Sequence, residues 1–211
     1  MKGFRIFGEY IFEYLILTII LVLSLILVIP FIPVYIGVVG YLTHKRDDRM
    51  LKDIFTTIKE NWKIILKFTI FELIILVFSF LNIYYFRQNM TGFNTVIVVI
   101  SYVFLFFGVV FLAHAPMIII GMNVNLRQLI LNTFLFFFGG VINSIIAIAA
   151  LAGLTAIASY IPYLVIVLLY FAVVIVEYFT RKNFLFLKAR KLNMSVEELT
   201  KREQEDTYLE E

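Results

Sequence analysis

Cysteine is absent from this 211-residue sequence. That excludes disulfides, thiolate chemistry, cysteine-ligated zinc and palmitoylation. Histidine is nearly absent as well: His44 and His114 are the only two. They form no H-x-x-x-H or E-x-x-H spacing, so no metal site is expected. G-x-S-x-G, G-x-G-D, H-E-x-x-H and Walker patterns are all missing, and no aspartate lies inside an apolar run. The chain therefore offers no hydrolytic nucleophile, no intramembrane protease pair and no nucleotide-driven motor. We read it as a non-enzyme that needs no cofactor.

Charge is also scarce. Charged residues make up 16% of the chain and hydrophobic residues 62%, whereas a soluble domain carries about 25% charged and about 45–50% apolar residues. No soluble fold of this size hides that much apolar surface, because a globule still exposes much of its side-chain area. The implied solvent is lipid. The net charge is +3 and the pI about 9.0, but the cations sit beside apolar runs, where the positive-inside rule places them. Nucleic acid is therefore not an expected partner, and the lipid bilayer is.

A membrane helix needs about 20 mainly apolar residues. The sequence predicts an all-α, polytopic membrane helix bundle with about five transmembrane spans, over about 14–42, 63–86, 94–120, 129–151 and 160–180. Residues 1–191 form the membrane domain and 192–211 a polar tail. Lys2 and Arg5 precede the first apolar run, but Glu9 and Glu13 interrupt the basic region and no A-x-A site follows. A permanent first span is thus expected rather than a cleaved signal. Five spans put three cations (Lys2, Arg5, Arg87) on one side and the other fifteen of the 18 on the opposite side. The positive-inside rule makes the second side cytoplasmic, which places the N-terminus outside and the C-terminus inside a bacterial cytoplasmic membrane. Pro30 and Pro33 leave a rival open, in which the first segment dips in and returns and the N-terminus lies inside.

The basic stretch "HKRDDRMLKDIFTTIKENWKIILKF" spans 44–68. Within it Leu51, Ile54, Phe55, Ile58 and Trp62 form one helical stripe, while Lys45, Arg49, Lys52 and Lys59 project elsewhere. This predicts a cytoplasmic interfacial amphipathic helix over about 47–62, apolar face down and basic face toward anionic headgroups. Phe55, Lys59, Trp62 and Lys63 are its candidate anchors, with the one tryptophan at headgroup level. The same helix could serve instead as a docking surface for a partner's cytoplasmic domain. In the tail, Ser195 and Glu198 have capping-box spacing and predict a short exposed helix followed by an acidic end.

The segment "DIFTTIKENWKIILKF", with Phe55, Lys59, Asn61, Trp62 and Lys63, resembles the entry to the second span in the YesL-like family of small bacterial integral membrane proteins, a domain of unknown function. "IPFIPVYIGVVGYLTHKR" is similar to that family's proline-containing end of span one and its basic loop, although Val34 and Tyr35 stand where the family has small residues. "LNIYYF" at 81–86 also fits, and the resemblance covers roughly residues 4–191. It implies a multi-pass protein associated with carbohydrate uptake or degradation systems, and it supplies no catalytic residues.

Three ionisable residues fall within the expected spans. Such groups are costly in a bilayer and mark functional sites or interhelical glue. Glu72 lies near the midplane of the second span. His114, just before Pro116, and Glu177 lie toward the cytoplasmic ends of the third and fifth. Their equal depth would allow these two to pair. Small residues four apart, Ala149 with Gly153 and Ala152 with Ala156, suit close packing of the fourth and fifth spans or an oligomer or partner interface. Asn132 and Asn143 would add interhelical hydrogen bonds, and Pro162 would open the last helix.

Two functions fit. One is an accessory component that works through a transporter subunit. The other is a small transporter or channel in its own right, with Glu72 in the path and a homodimer able to supply the missing symmetry. The sequence does not specify solute, partner or oligomeric state.

Overall fold

The computed structural model describes residues 2–44, 50–89 and 91–200. Helices make up nearly all of it, and no strand occurs among the described residues. They are α1 (Lys2–Leu27), α2 (Phe31–His44), α3 (Met50–Glu60), α4 (Trp62–Phe86), α5 (Gly92–Gly121), α6 (Leu126–Gly139), α7 (Val141–Tyr160) and α8 (Pro162–Lys191). Among the described residues α4 and α5 are each long and apolar enough to cross a bilayer. This is an all-α helical membrane protein.

The first apolar segment is two helices, and they fold back on each other. Glu13 of α1 hydrogen-bonds Tyr41 of α2. A continuous helix would hold these residues roughly 40 Å apart at 1.5 Å per residue. Leu17 and Leu21 of α1 accordingly share a buried cluster with Tyr35, Val38, Val39 and Tyr41 of α2. The single Pro-broken span expected over about 14–42 is therefore a hairpin, as in the rival arrangement. Its apex follows from local chemistry. Val28 takes φ 60, a strained region for a β-branched residue. Pro30 comes just before the first residue of α2, and Pro33 falls in its first turn, where a missing N–H costs no helical bond.

The second departure concerns the span expected over about 129–151. The chain instead breaks between α6 and α7, which meet at 108°. Gly140 sits at the break with a non-helical backbone (φ −138, ψ 56). A Cβ there would collide with the Asn183 side chain of α8. Gly140 keeps its own backbone bonds to Phe136 and Ser144, and Asn183 adds to them, donating to the Gly140 carbonyl at 3.1 Å and to Ser144 Oγ at 3.0 Å while accepting from Asn143 at 2.8 Å. Ser144 in turn donates to the Phe137 carbonyl at 3.3 Å. Orphan polar groups at a helix end inside a bundle are thus satisfied by side chains.

The remaining helices run in a consistent order. Glu72 lies against Gly108, and the Phe71 and Phe111 rings stand 5.5 Å apart, so α4 and α5 are antiparallel. Ala113 clusters with Val176, and Gly121 abuts Phe184, so α5 and α8 run parallel. Asn143 meets Asn183 and Ala147 meets Val176, so α7 is antiparallel to α8. The main core gathers Ile36, Ile65, Phe68, Phe111, Ile118 and Phe136 from α2, α4, α5 and α6. Pro116 leaves α5 a continuous helix.

Candidate functional site

Helix α4 buries one stripe: Ile65, Phe68, Thr69, Glu72 and Ser79. These positions recur at three, four and seven residues, a single helical face. That face meets α5, whose buried residues include Ser101 and Gly108. The antiparallel register that sets Glu72 against Gly108 sets Ser79 opposite Ser101. Small residues one heptad apart on α5 let the two backbones approach closely.

Glu72 is fully buried in this seam. A Cβ built on Gly108 would lie 3.0 Å from its Oε1 and 3.2 Å from Leu76 Cδ2. A side chain at position 108 would therefore crowd the carboxyl, which would have to shift by a few tenths of an ångström. Neither carboxyl oxygen has a hydrogen-bond partner among the described residues, and neither does Ser79 Oγ. Thr69 and Ser101, by contrast, return their hydroxyls to the carbonyls of Ile65 and Ile97, both at 2.8 Å. The seam thus contains two satisfied hydroxyls beside two unsatisfied groups, the Glu72 carboxyl and the Ser79 hydroxyl. An orphaned buried polar group costs stability and points to a role beyond packing.

His114 is also fully buried and has no partner at either ring nitrogen. Its ring stands edge-on to Phe137, centroids 6.5 Å apart. Glu177 lies at the same level, since the neighbouring Val176 packs with Ala113. Equal depth does not bring the two side chains together. Glu177 accepts a hydrogen bond from Thr43 Oγ1 at 3.3 Å and forms an ion pair with Arg181 at 3.7 Å. His114 faces α6 while Glu177 faces α2, so the expected pair does not form. Asn143 makes its interhelical bond, and Asn132 reaches Met122 Sδ at 3.8 Å. No group of three metal-ligating side chains occurs among the described residues.

The interfacial segment is α3, ended by Asn61, so that Trp62 begins α4. Lys45–Arg49 lie outside the described residues. The expected apolar stripe divides. Ile54 and Ile58 turn into the protein, where Gly37 of α2 leaves space for them, while Phe55 and Trp62 stay exposed with Lys59 and Lys63. Two capping boxes frame the rest. Ser195 and Glu198 bond reciprocally at 2.9 and 3.2 Å, as do Asn125 and Gln128 at 3.0 and 2.9 Å. The second box opens α6 and had an N-x-x-Q signal in the sequence.

On α7, Ala147 and Ser144 face the bundle. Ala149, Ala152 and Ala156 are exposed, and a Cβ at Gly153 would meet nothing within 4 Å. The small-residue pairs do not mediate α7–α8 packing; they line an outward face.

Fold and site together define a helical membrane protein with an unpaired carboxyl between two of its helices. The chain matches no protein-family model, no curated protein and no solved structure.

Proposed function

We propose that the chain is an accessory protein of a bacterial cytoplasmic membrane, of YesL-like type, acting beside a carbohydrate uptake or utilisation system through a partner's transmembrane helix. The observation that carries this reading is the outward face of Ala149, Ala152, Gly153 and Ala156 on α7. In lipid, close backbone approach drives helix association, and small residues four apart permit it. The test is capture by a C-terminal tag from a mild detergent, with mass spectrometry of what comes along. A transporter subunit in fixed stoichiometry, lost on Gly153→Leu, supports the reading. A monomer, or recovery indifferent to Gly153→Leu, overturns it.

A hairpin at α1–α2 favours the topology with both termini on the cytoplasmic side. The N-terminus-outside arrangement needs a straight first span. With the hairpin, the basic residues around α3, at Arg127 and along the end of α8 share one side with Lys2 and Arg5. Arg87 is then the one cation on the other side, in keeping with the positive-inside rule.

A second reading rests on Glu72, whose buried carboxyl has neither oxygen paired. In a transporter or channel such a group carries a proton or small cation. Flux into liposomes that is abolished by Glu72→Gln supports it, and flux that survives the substitution removes it.

A further inference from the structure

The α2–α3 contact leaves α3 with a mixed surface whose composition fits one class of ligand. Ile54 packs so closely on α2 that a Cβ at Gly37 would lie 2.8 Å from its Cγ2, and one at Gly40 would lie 2.6 Å from Thr57 Cγ2. The helix is therefore seated on the bundle by Ile54, Thr57 and Ile58 and cannot roll its whole apolar stripe into lipid. What remains outside is Leu51 at 51%, Phe55 at 70% and Trp62 at 54% exposure, together with exposed Lys52, Lys59 and Lys63. Residues 52, 55 and 59 recur on one face of α3, and Trp62 and Lys63 follow across the break at Asn61 at the start of α4, so aromatic and cationic groups are interleaved along this stretch. Lys63 Nζ lies 5.9 Å from the Trp62 ring centroid, which holds its charge beside the indole. Asp53 is half-buried with its Oδ2 enclosed, leaving Glu60 as the exposed acid of the helix.

We propose that this face of α3 and the start of α4 is a binding surface for anionic phospholipid headgroups, with Phe55 and Trp62 at the acyl boundary and Lys52, Lys59 and Lys63 on the phosphates. Charge complementarity selects the ligand. Three exposed ammonium groups against one carboxylate favour an anionic leaflet, and the interleaved aromatic rings favour the headgroup–acyl boundary over water. A purely apolar face would show no preference among lipids, and a purely cationic one would not hold the indole at that depth.

Trp62 is the only tryptophan in the chain, so the surface carries its own reporter. The full-length protein is reconstituted into phosphatidylcholine vesicles containing phosphatidylglycerol, with one lipid or the other brominated on its acyl chains. Brominated phosphatidylglycerol should quench Trp62 more strongly than brominated phosphatidylcholine at equal mole fraction. The relative binding preference should be about fivefold for each lysine engaged and should shrink as salt is raised. The triple variant Lys52→Gln, Lys59→Gln, Lys63→Gln should quench equally with both lipids, while Arg127→Gln keeps the preference. These lysines are exposed, so an unchanged circular dichroism spectrum shows the fold intact. Equal quenching in the native protein, or a preference that survives the triple variant, overturns the proposal. Absence of quenching by either lipid also overturns it, because it shows Trp62 covered by protein, whether an acidic partner domain or a second copy.

Discussion

Replacing Glu72 by methionine should make the protein more stable. The carboxyl is fully buried, and neither oxygen has a partner among the described residues. Leaving a buried polar group unsatisfied costs about 1–3 kcal/mol, and an apolar side chain of similar shape removes that cost. Methionine follows the same unbranched path and adapts to the space beside Gly108. For a chain of this size, each kcal/mol moves the unfolding midpoint by about 2–4 °C, so Glu72→Met should raise it by roughly 2–12 °C. Unfolding in detergent, followed by Trp62 fluorescence and circular dichroism, measures the shift. The same seam supplies a second arm. Gly108→Ala places a methyl 3.0 Å from Glu72 Oε1 and 3.2 Å from Leu76 Cδ2, so both side chains must give way by a few tenths of an ångström, an overpacking expected to cost up to about 1–3 kcal/mol. In the double variant Glu72→Ala, Gly108→Ala the clashing oxygen is gone. The combined loss should then fall short of the sum of the single losses by more than about 0.5 kcal/mol. A lower midpoint for Glu72→Met would refute the reasoning, because it would show the carboxyl engaged in a stabilising interaction. Strict additivity in the cycle would refute the placement of Glu72 against Gly108.

Three further outcomes are expected. Asn183→Ala removes the bonds to Gly140, Ser144 and Asn143, leaves the Asn143 amide without its partner, and should cost about 1–3 kcal/mol, read as a lower unfolding midpoint. Val28→Pro forces a residue observed at φ 60 to about −65° and deletes its N–H bond to Leu25. It should destabilise by roughly 3 kcal/mol, whereas Val28→Asn, which tolerates that region, should be neutral or better in the same thermal assay. Because the chain has no cysteine, the pair Glu13→Cys, Tyr41→Cys gives a clean distance test. A short bis-maleimide should link them within one chain, and a straight span, which would separate them by roughly 40 Å, would leave them unlinked.

Much of this architecture was legible in the residues, and the failures have a common cause. The runs that became α4 and α5 are uninterrupted, and bilayer thickness alone dictates how long such a run must be. The capping box at Ser195 and Glu198 is equally local, with both partners one turn apart. The breaks differ. Pro30 and Pro33 announce that something happens after Leu27. Whether the chain bends or reverses depends on Glu13 meeting Tyr41, a contact that no window of local sequence contains. Gly139 and Gly140 could likewise have been two tolerated glycines in one span. Their break depends on Asn183, a polar residue on a different helix. Glu72 stood out because a carboxyl in an apolar run is conspicuous. Gly108 did not, because its meaning appears only once the α4–α5 register is known. His114 and Glu177 show the limit most directly: depth along a helix can be counted from sequence, but the direction a side chain faces depends on its neighbours.

The distribution of unsatisfied polar groups separates architecture from function. At the α6–α7 break a demanding arrangement is fully answered: Gly140, Phe137, Ser144, Asn143 and Asn183 all find partners. Thr43, Glu177 and Arg181 likewise answer one another. The fold can therefore satisfy polar groups in its interior where structure requires it. The hydroxyls of Thr18, Tyr35 and Ser79 and one oxygen of Asp53 are buried without a partner among the described residues, but Glu72 and His114 are the fully buried carboxyl and imidazole with neither polar atom paired, and in a sequence otherwise consistent with its fold such exceptions collect at functional positions. The two differ in what their surroundings supply. His114 sits edge-on to an aromatic ring and can be accommodated as packing. Glu72 sits in a slot that the missing side chain at position 108 widens. A slot shaped around an otherwise destabilising carboxyl makes Glu72 the residue whose removal should separate stability from activity.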